Sequence, residues 1–175
     1  MGRLWIRARK LIMLREIKTR RCVRKYKPDK VSKEAVIEII KAGQFAPNGN
    51  HSRAWEFLVV EDQDLKKKLF EVVGQEFVME APILIVPVID VGKTAVPVQD
   101  LAVASENIFL QATNLGLSTV WKNVRPEIEG KVKEILSIPK TFLVINLIPL
   151  GYADQEVPPH EDSDFDKNKI HWGKW

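Results

Sequence analysis

Two short stretches of this 175-residue chain carry residue types suited to holding an anionic ligand. Positions 20–26 read RRCVRKY, which places four cations within seven residues, directly after an apolar-periodic segment ends. Guanidinium groups match phosphate oxygens two at a time, so Arg20, Arg21 and Arg24 could converge on one phosphate. Positions 46–51 read APNGNH, and we expect a loop that closes a helix and leaves backbone N–H groups free to meet a ligand. Together the two stretches predict a site for a phosphorylated cofactor.

Single side chains in these stretches admit both a reactive and a structural interpretation. Cys22, among arginines, could act as a thiolate nucleophile, although a small buried polar contact is the commoner role. His51 could act as a general acid or base, but a histidine on such a loop is more often a surface or hydrogen-bonding residue. The three histidines lie far apart in the sequence without metal-ligand spacing, and we predict no metal site.

Composition predicts one globular domain without a membrane span. The chain is 45% hydrophobic and 29% charged, and no apolar run approaches the roughly 20 residues that a spanning helix needs. Residues 1–10 lack the long apolar core of a secretory signal. The single cysteine, Cys22, excludes an intrachain disulfide and fits a reducing compartment, so we expect a cytoplasmic protein.

Charge is distributed unevenly along the chain. Residues 1–27 hold 11 Lys and Arg against one acid, whereas residues 154–166 hold six acids, two prolines and no Lys or Arg. The basic region has no repeated aromatic or Gly/Arg pattern, so we predict no nucleic-acid or membrane partner. A plainer alternative to a phosphate site is that residues 20–27 form a solvated connector paired with the acidic region.

Hydrophobic periodicity predicts alternating helices and short strands. Helices are expected over 11–19, from the N-cap Ser32 to Gly43, over 62–73, 99–116 and 126–136. In the second helix Val36, Ile37, Ile40 and Phe45 are expected to point inward. Strands are expected over 55–60, 83–89, 117–121 and 141–150, with Pro87 indicating an edge or a bulge. The alternation predicts one layered domain of α and β elements.

Taken in order, six motifs of the chain resemble those of the FMN-dependent nitroreductase family. They are the RRCVRKY stretch, positions 46–55 (APNGNHSRAW), Ala81-Pro82 before a strand, positions 99–117 around the long helix, positions 147–152 (LIPLGY) and the terminal IHWGKW. The resemblance covers Leu11 to Trp175. It implies an α+β fold with a central mixed sheet flanked by helices, assembled as an intertwined homodimer. It divides the chain into a basic extension (1–10), an FMN-binding domain (11–153) and a C-terminal arm that docks on the dimer (154–175).

The resemblance also implies where the cofactor lies. FMN would occupy the dimer interface, held by Arg20, Arg21, Cys22, Arg24, Lys122 and Asn123 of one chain and by Asn48, Gly49 and His51 of its partner. The family transfers hydride from NAD(P)H to the flavin and then to a small planar acceptor, a nitroaromatic or a quinone, by a ping-pong route. The flavin performs that chemistry, so we name no catalytic residue.

Three positions depart from the family pattern. His51 stands where an asparagine is usual, Lys122 where a small or apolar residue is usual, and Ser163 or Asp164 where the arm commonly carries a cation.

Two alternatives to an oxidoreductase function remain open: a flavin- or nucleotide-binding protein without turnover, and a non-redox anion-binding module.

Overall fold

The structure is a computed structural model that describes residues 13–175. The predicted basic extension, residues 1–10, and the first two residues of the first predicted helix lie outside the described residues. The helices are α1 (Arg15–Thr19), α2 (Lys33–Gln44), α3 (Gln63–Val73), α4 (Phe77–Glu80), α5 (Pro97–Asn114) and α6 (Pro126–Ile135). The strands are β1 (Trp55–Val60), β2 (Ile83–Asp90), β3 (Ser118–Thr119), β4 (Lys122–Asn123), β5 (Phe142–Leu143) and β6 (Asn146–Gly151).

Strand β2 is the centre of the sheet. It pairs antiparallel with β1 on one side and with β5 and β6 on the other, and β6 in turn pairs antiparallel with β3 and β4. The parallel component is an isolated bridge between Cys22 and Thr119. An antiparallel-dominated sheet with helices on its faces confirms the predicted α+β class.

Pro87 lies in this central strand, so the predicted edge position is wrong, whereas the predicted bulge is present. Ile85 opposes Ile148 and Ile89 opposes Leu143, so three residues of β2 (86–88) face four residues (144–147) across the ladder. The extra residue interrupts the ladder beside Pro87, which tolerates the missing proline N–H. The same bulge divides the predicted strand 141–150 into β5 and β6.

Alternate residues of β2 are buried on opposite faces of the sheet, each face covered by a different set of helices. Leu84, Val86 and Val88 pack in the core shared with α3, α4 and α6, whereas Ile83 and Ile85 pack with α2 and α5. This alternation is the period-two pattern of a strand covered on both faces. No helix in the described part of the chain is long and apolar enough to cross a membrane.

Helix α2 begins as predicted, but its inward face differs from the prediction. The Ser32 hydroxyl accepts a hydrogen bond from the Ala35 N–H at 3.2 Å, as an N-cap does. Val36, Ile39 and Gly43 are buried, while Ile37 and Phe45 are 61% and 73% exposed, so their predicted inward placement is wrong. The close approach of α2 to α5 selects this face, because a Cβ at Gly43 would lie 3.1 Å from the Ile108 side chain.

Candidate functional site

The arginine segment, residues 20–26, is an extended stretch that is hydrogen-bonded to the sheet at its middle and directly after its last residue. The Val23 N–H donates to the Thr119 carbonyl at 3.0 Å, and the Lys27 N–H donates to the Tyr152 carbonyl at 2.9 Å. Val23 and Tyr26 are buried, and the Tyr26 hydroxyl donates to the Val23 carbonyl at 2.7 Å. Burial raises the pKa of Tyr26, so this hydroxyl stays a donor. The backbone beside the arginines is therefore anchored to the sheet at Val23 and Lys27.

The four candidate residues of this segment have different surroundings. Arg20 Nε lies 3.6 Å from Glu106 Oε1 on α5, and Arg21 Nη1 donates to the Pro158 carbonyl at 2.9 Å. The Arg24 N–H donates to Gln155 Oε1 at 2.9 Å. Cys22 is exposed as a free thiol. The structure thus places Arg20, Arg21, Cys22 and Arg24 on one extended stretch, where the side chains of Arg20 and Arg21 and the backbone N–H of Arg24 already have partners within the chain.

Four backbone N–H groups of the Asn48 loop, residues 48–53, already have hydrogen-bond acceptors within the chain. The Gly49 N–H donates to Asp100 Oδ1 at 2.8 Å, and the Arg53 N–H donates to Asn48 Oδ1 at 3.0 Å. The N–H groups of His51 and Ser52 donate to carbonyls of the same loop. The expectation that these N–H groups are free for a ligand is wrong, because acceptors of the loop itself and of Asp100 already pair with them. The loop surface apart from these four N–H groups is what remains for ligand recognition.

Asp100, in the first turn of α5, anchors the Asn48 loop. Its carboxylate is 2% exposed and accepts from the Gly49 N–H through one oxygen and from Thr94 Oγ1, at 2.6 Å, through the other. A Cβ at Gly49 would lie 2.6 Å from Val96 Cγ2, so glycine is required by close packing. Sequence reasoning missed this anchor, since an acid in the first turn of a helix also suits the helix dipole alone.

Three non-glycine residues of the Asn48 loop have left-handed backbone conformations. The φ angles are 51° at Asn50, 56° at His51 and 48° at Arg53. Such conformations are uncommon outside glycine and persist where surrounding contacts enforce them, here Asn48 and Asp100. They bring His51 Nε2 and Arg53 Nη2 within 3.1 Å of each other, with both side chains on the surface.

Lys122 and Asn123 form strand β4, opposite Leu147 and Asn146 of β6. Burial, with a smaller contribution from the neighbouring Arg125, lowers the pKa of Lys122. Beneath them the Asn146 amide donates to Ser105 Oγ at 3.1 Å, which ties β6 to α5. Lys122 is therefore a partly desolvated cation on a short, well-supported strand.

The structure joins some of the candidate residues and separates others. The Cys22–Thr119 bridge brings the arginine segment to β3, which shares the β6 ladder with β4. Within residues 13–175, no hydrogen bond or ion pair connects the Asn48 loop to the arginine segment or to β4. No group of three or more potential metal ligands was found in that range. In the strand order β1-β2-β6-β3, the strand that follows the Asn48 loop (β1) and the strand that bridges to the arginine segment (β3) stand at opposite ends, so the candidate site consists of two separate parts in one chain.

Comparisons with known proteins identify the family. A model of the nitroreductase family matches residues 17–78 and 70–152. A protein of Methanothermobacter thermautotrophicus, provisionally named an NADH dehydrogenase/NAD(P)H nitroreductase, is 36% identical over 173 residues, covering 95% of this chain and 89% of its own. The solved structure of an FMN-dependent nitroreductase from Clostridium difficile is 35% identical, covers 91% of this chain and 98% of its own, and has a TM-score of 0.87. The chain belongs to the nitroreductase family.

Proposed function

We propose that the protein is an FMN-dependent oxidoreductase that passes hydride from NAD(P)H to a small planar acceptor, a nitroaromatic or a quinone, by a ping-pong route. Family membership and the names of its relatives support the reaction class. The observation that carries the cofactor assignment is the arginine segment, which presents its cations from a backbone pinned to the sheet at Val23 and Lys27.

The residues present suit a flavin phosphate. A phosphate monoester carries nearly two negative charges at neutral pH and accepts several hydrogen bonds. Arg20, Arg21 and Arg24 supply guanidinium donors within five positions of one anchored stretch, and the exposed Cys22 lies between them. We assign phosphate binding to these four residues. The bound flavin would supply hydride acceptance and donation, which side chains lack.

Lys122 and the backbone of β4 would then face the isoalloxazine ring. A partly buried cation stabilises negative charge more strongly than an exposed one, since less water screens it. Lys122 would hold its charge near the ring edge where reduction adds electron density, and Asn123 would position the β4 backbone. We assign binding roles to Asn48, Gly49 and His51 through the loop surface, not through the N–H groups that the loop itself uses.

The separation of the Asn48 loop from the arginine segment supports a homodimer with two shared sites. The surface also supports this assembly: Phe45 is 73% exposed, and Trp172 and Trp175 are 91% and 101% exposed. Large apolar groups in such number on one monomer are typical of an interaction surface. Phe45 also lines a groove of about 330 Å³ between α1, α2 and α5, together with Leu14.

Sedimentation tests the assembly directly. We expect a dimer for the full chain and a weaker dimer for Trp172→Ala/Trp175→Ala, because each substitution removes a large apolar contact. Ile37→Ala, which shortens another exposed apolar side chain outside this arm, serves as the comparison. A stable monomer for the full chain would contradict the shared-site arrangement.

Titration with FMN tests the phosphate assignment. Replacing Arg20 or Arg24 with alanine should lower FMN affinity about tenfold to hundredfold, the effect of losing one charge-assisted hydrogen bond. Arg15→Ala is the matched control, because it removes the same side chain from exposed α1 just before the segment. If all three variants bind FMN like the parent, the segment is only a solvated connector.

The same titration separates the rival functions. A flavin carrier without turnover would bind FMN but leave its spectrum unchanged on addition of NADH or NADPH. A non-redox anion-binding module would stay colourless with FMN. The cytoplasmic location and the domain boundaries at residues 10 and 153 stay predictions.

A further inference from the structure

The acidic strap, residues 154–166, lies along the arginine segment in antiparallel order. Five hydrogen bonds, each 2.9 Å long, join the strap to residues 18–25. They are Asp154 N–H to the Lys25 carbonyl, Arg24 N–H to Gln155 Oε1, Arg21 Nη1 to the Pro158 carbonyl, His160 N–H to the Lys18 carbonyl, and Lys18 Nζ to Asp162 Oδ1. The strap follows the whole cationic stretch in a fixed register.

The far end of the strap places carboxylates against the cations. Lys18 Nζ and Asp162 Oδ1 form an ion pair, which raises the pKa of Lys18 and lowers that of Asp162. The pKa of Asp164 is lowered chiefly by the Glu161 N–H and by His160, and in part by the charge of Arg21. The ion pair therefore balances the charge of Lys18, which lies two residues before the arginine segment.

A phosphate approaching this segment meets two opposing effects. The guanidinium groups attract it, while Asp162, which already pairs with Lys18, and Asp164, in the same turn of the strap, repel it. We propose that these two carboxylates are specificity determinants that weaken the hold on the 5′-phosphate of a flavin, so that bound FMN exchanges readily with free flavin. The inference rests on the proposed flavin function. It concerns how strongly the site prefers FMN over riboflavin, the flavin without a phosphate.

The strap should stay in place when its carboxylates are neutralised, because other contacts hold it against residues 18–25. Three of the five hydrogen bonds involve no carboxylate and no cationic side chain, namely those of Asp154 N–H, Arg24 N–H and His160 N–H. Asparagine at 164 keeps a side-chain oxygen that can accept from the Glu161 N–H, as Asp164 does at 3.0 Å. Neutralising the two acids should therefore change the charge and leave the strap in place.

The test compares two flavins that differ only in the phosphate. Dissociation constants of FMN and riboflavin are measured for the parent, Asp162→Asn, Asp164→Asn and the double variant, with the rate of FMN release in the same samples. Asp166→Asn is the matched control, since it removes the same charge from the end of the strap, where the Asp166 carboxylate accepts from the Asn168 N–H. Each single change should tighten FMN about two- to fivefold, as expected for one exposed charge pair, and slow its release.

Riboflavin binding should stay the same throughout, because riboflavin carries no phosphate. FMN affinity that stays constant, falls, or rises equally in Asp166→Asn would overturn the inference. Equal tightening of riboflavin would overturn it as well, since the phosphate would then not be the group affected. If the parent and every variant bind neither flavin, the proposed function fails, and the inference fails with it.

Discussion

Replacing Asp100 with alanine should loosen the Asn48 loop, because this buried carboxylate is its attachment to α5. Asp100 accepts hydrogen bonds from the Gly49 N–H at 2.8 Å and from Thr94 Oγ1 at 2.6 Å. The variant keeps α5 itself intact, since alanine favours helix. Its effect should therefore fall on the loop that carries His51 and Arg53.

The expected loss follows from these two contacts. A hydrogen bond to a charged group contributes about 1.5–3 kcal/mol, and its partners here lie near enough to the surface to regain water. We expect the free energy of unfolding to fall by about 3 kcal/mol, the low end of the sum of two such bonds. Asp100→Asn keeps the acceptor for Gly49 and loses only the carboxylate partner of Thr94, so about half that loss is expected.

Urea unfolding measures these losses, and hydrogen exchange at the Gly49 amide reports on the loop itself. Asp64→Ala is the control, because Asp64 is an exposed acid in the first turn of α3. Like Asp100→Ala, it removes the interaction of a carboxylate with a helix dipole, which contributes no more than about 1 kcal/mol. If Asp100→Ala costs no more than Asp64→Ala and leaves exchange at Gly49 unchanged, Asp100 does not anchor the loop.

Three further predictions follow from particular contacts. Gly49→Ala should destabilise the fold by about 1–3 kcal/mol through the clash with Val96, and Val96→Ala in the same chain should restore part of the loss in urea unfolding. Burial lowers the pKa of Lys66, so between that lowered value and 10.5 the unfolded chain binds more protons than the folded chain. The free energy of unfolding, measured by urea unfolding, should therefore rise with pH over that interval, and it should rise less in Lys66→Met. Lys122→Ala should lower the flavin reduction potential relative to the parent, because the positive charge that stabilises the reduced flavin is removed. The potentials of the parent, Lys122→Ala and His51→Asn are measured across one pH series. If the three sets of potentials superimpose, neither residue lies near the flavin.

Local signals in the sequence were sufficient for the individual elements. Strand β1 has the predicted bounds, because a run of aromatic and branched residues favours a strand wherever it lies. Helix α3 begins after Asp62, whose side chain accepts from the Leu65 N–H at 2.8 Å as an N-cap. The predicted inward face of α2 was wrong, because Ile37 and Ile39 are equally apolar in the sequence. Which of them is buried follows from the close packing of Gly43 against α5.

The candidate site shows the same division between local and distant information. Residue types predicted the arginine segment and the Asn48 loop, and family resemblance predicted their joint role. The Asp100–Gly49 contact spans 51 positions and the Arg21–Pro158 contact spans 137, and no periodicity within one element encodes such pairs. Opposite charge in residues 1–27 and 154–166 indicated that two regions could pair, but not the antiparallel register between them.

The central claim is that this chain holds FMN and reduces it with a nicotinamide nucleotide. The most direct measurement is the visible absorption of the purified protein, reconstituted with FMN and freed of excess, during anaerobic titration with NADH and with NADPH. The flavin band should be present and should disappear with at least one of the two nucleotides, then return when a quinone or a nitroaromatic is added. A protein that retains no flavin band after reconstitution, or a band that neither nucleotide bleaches, would contradict the claim.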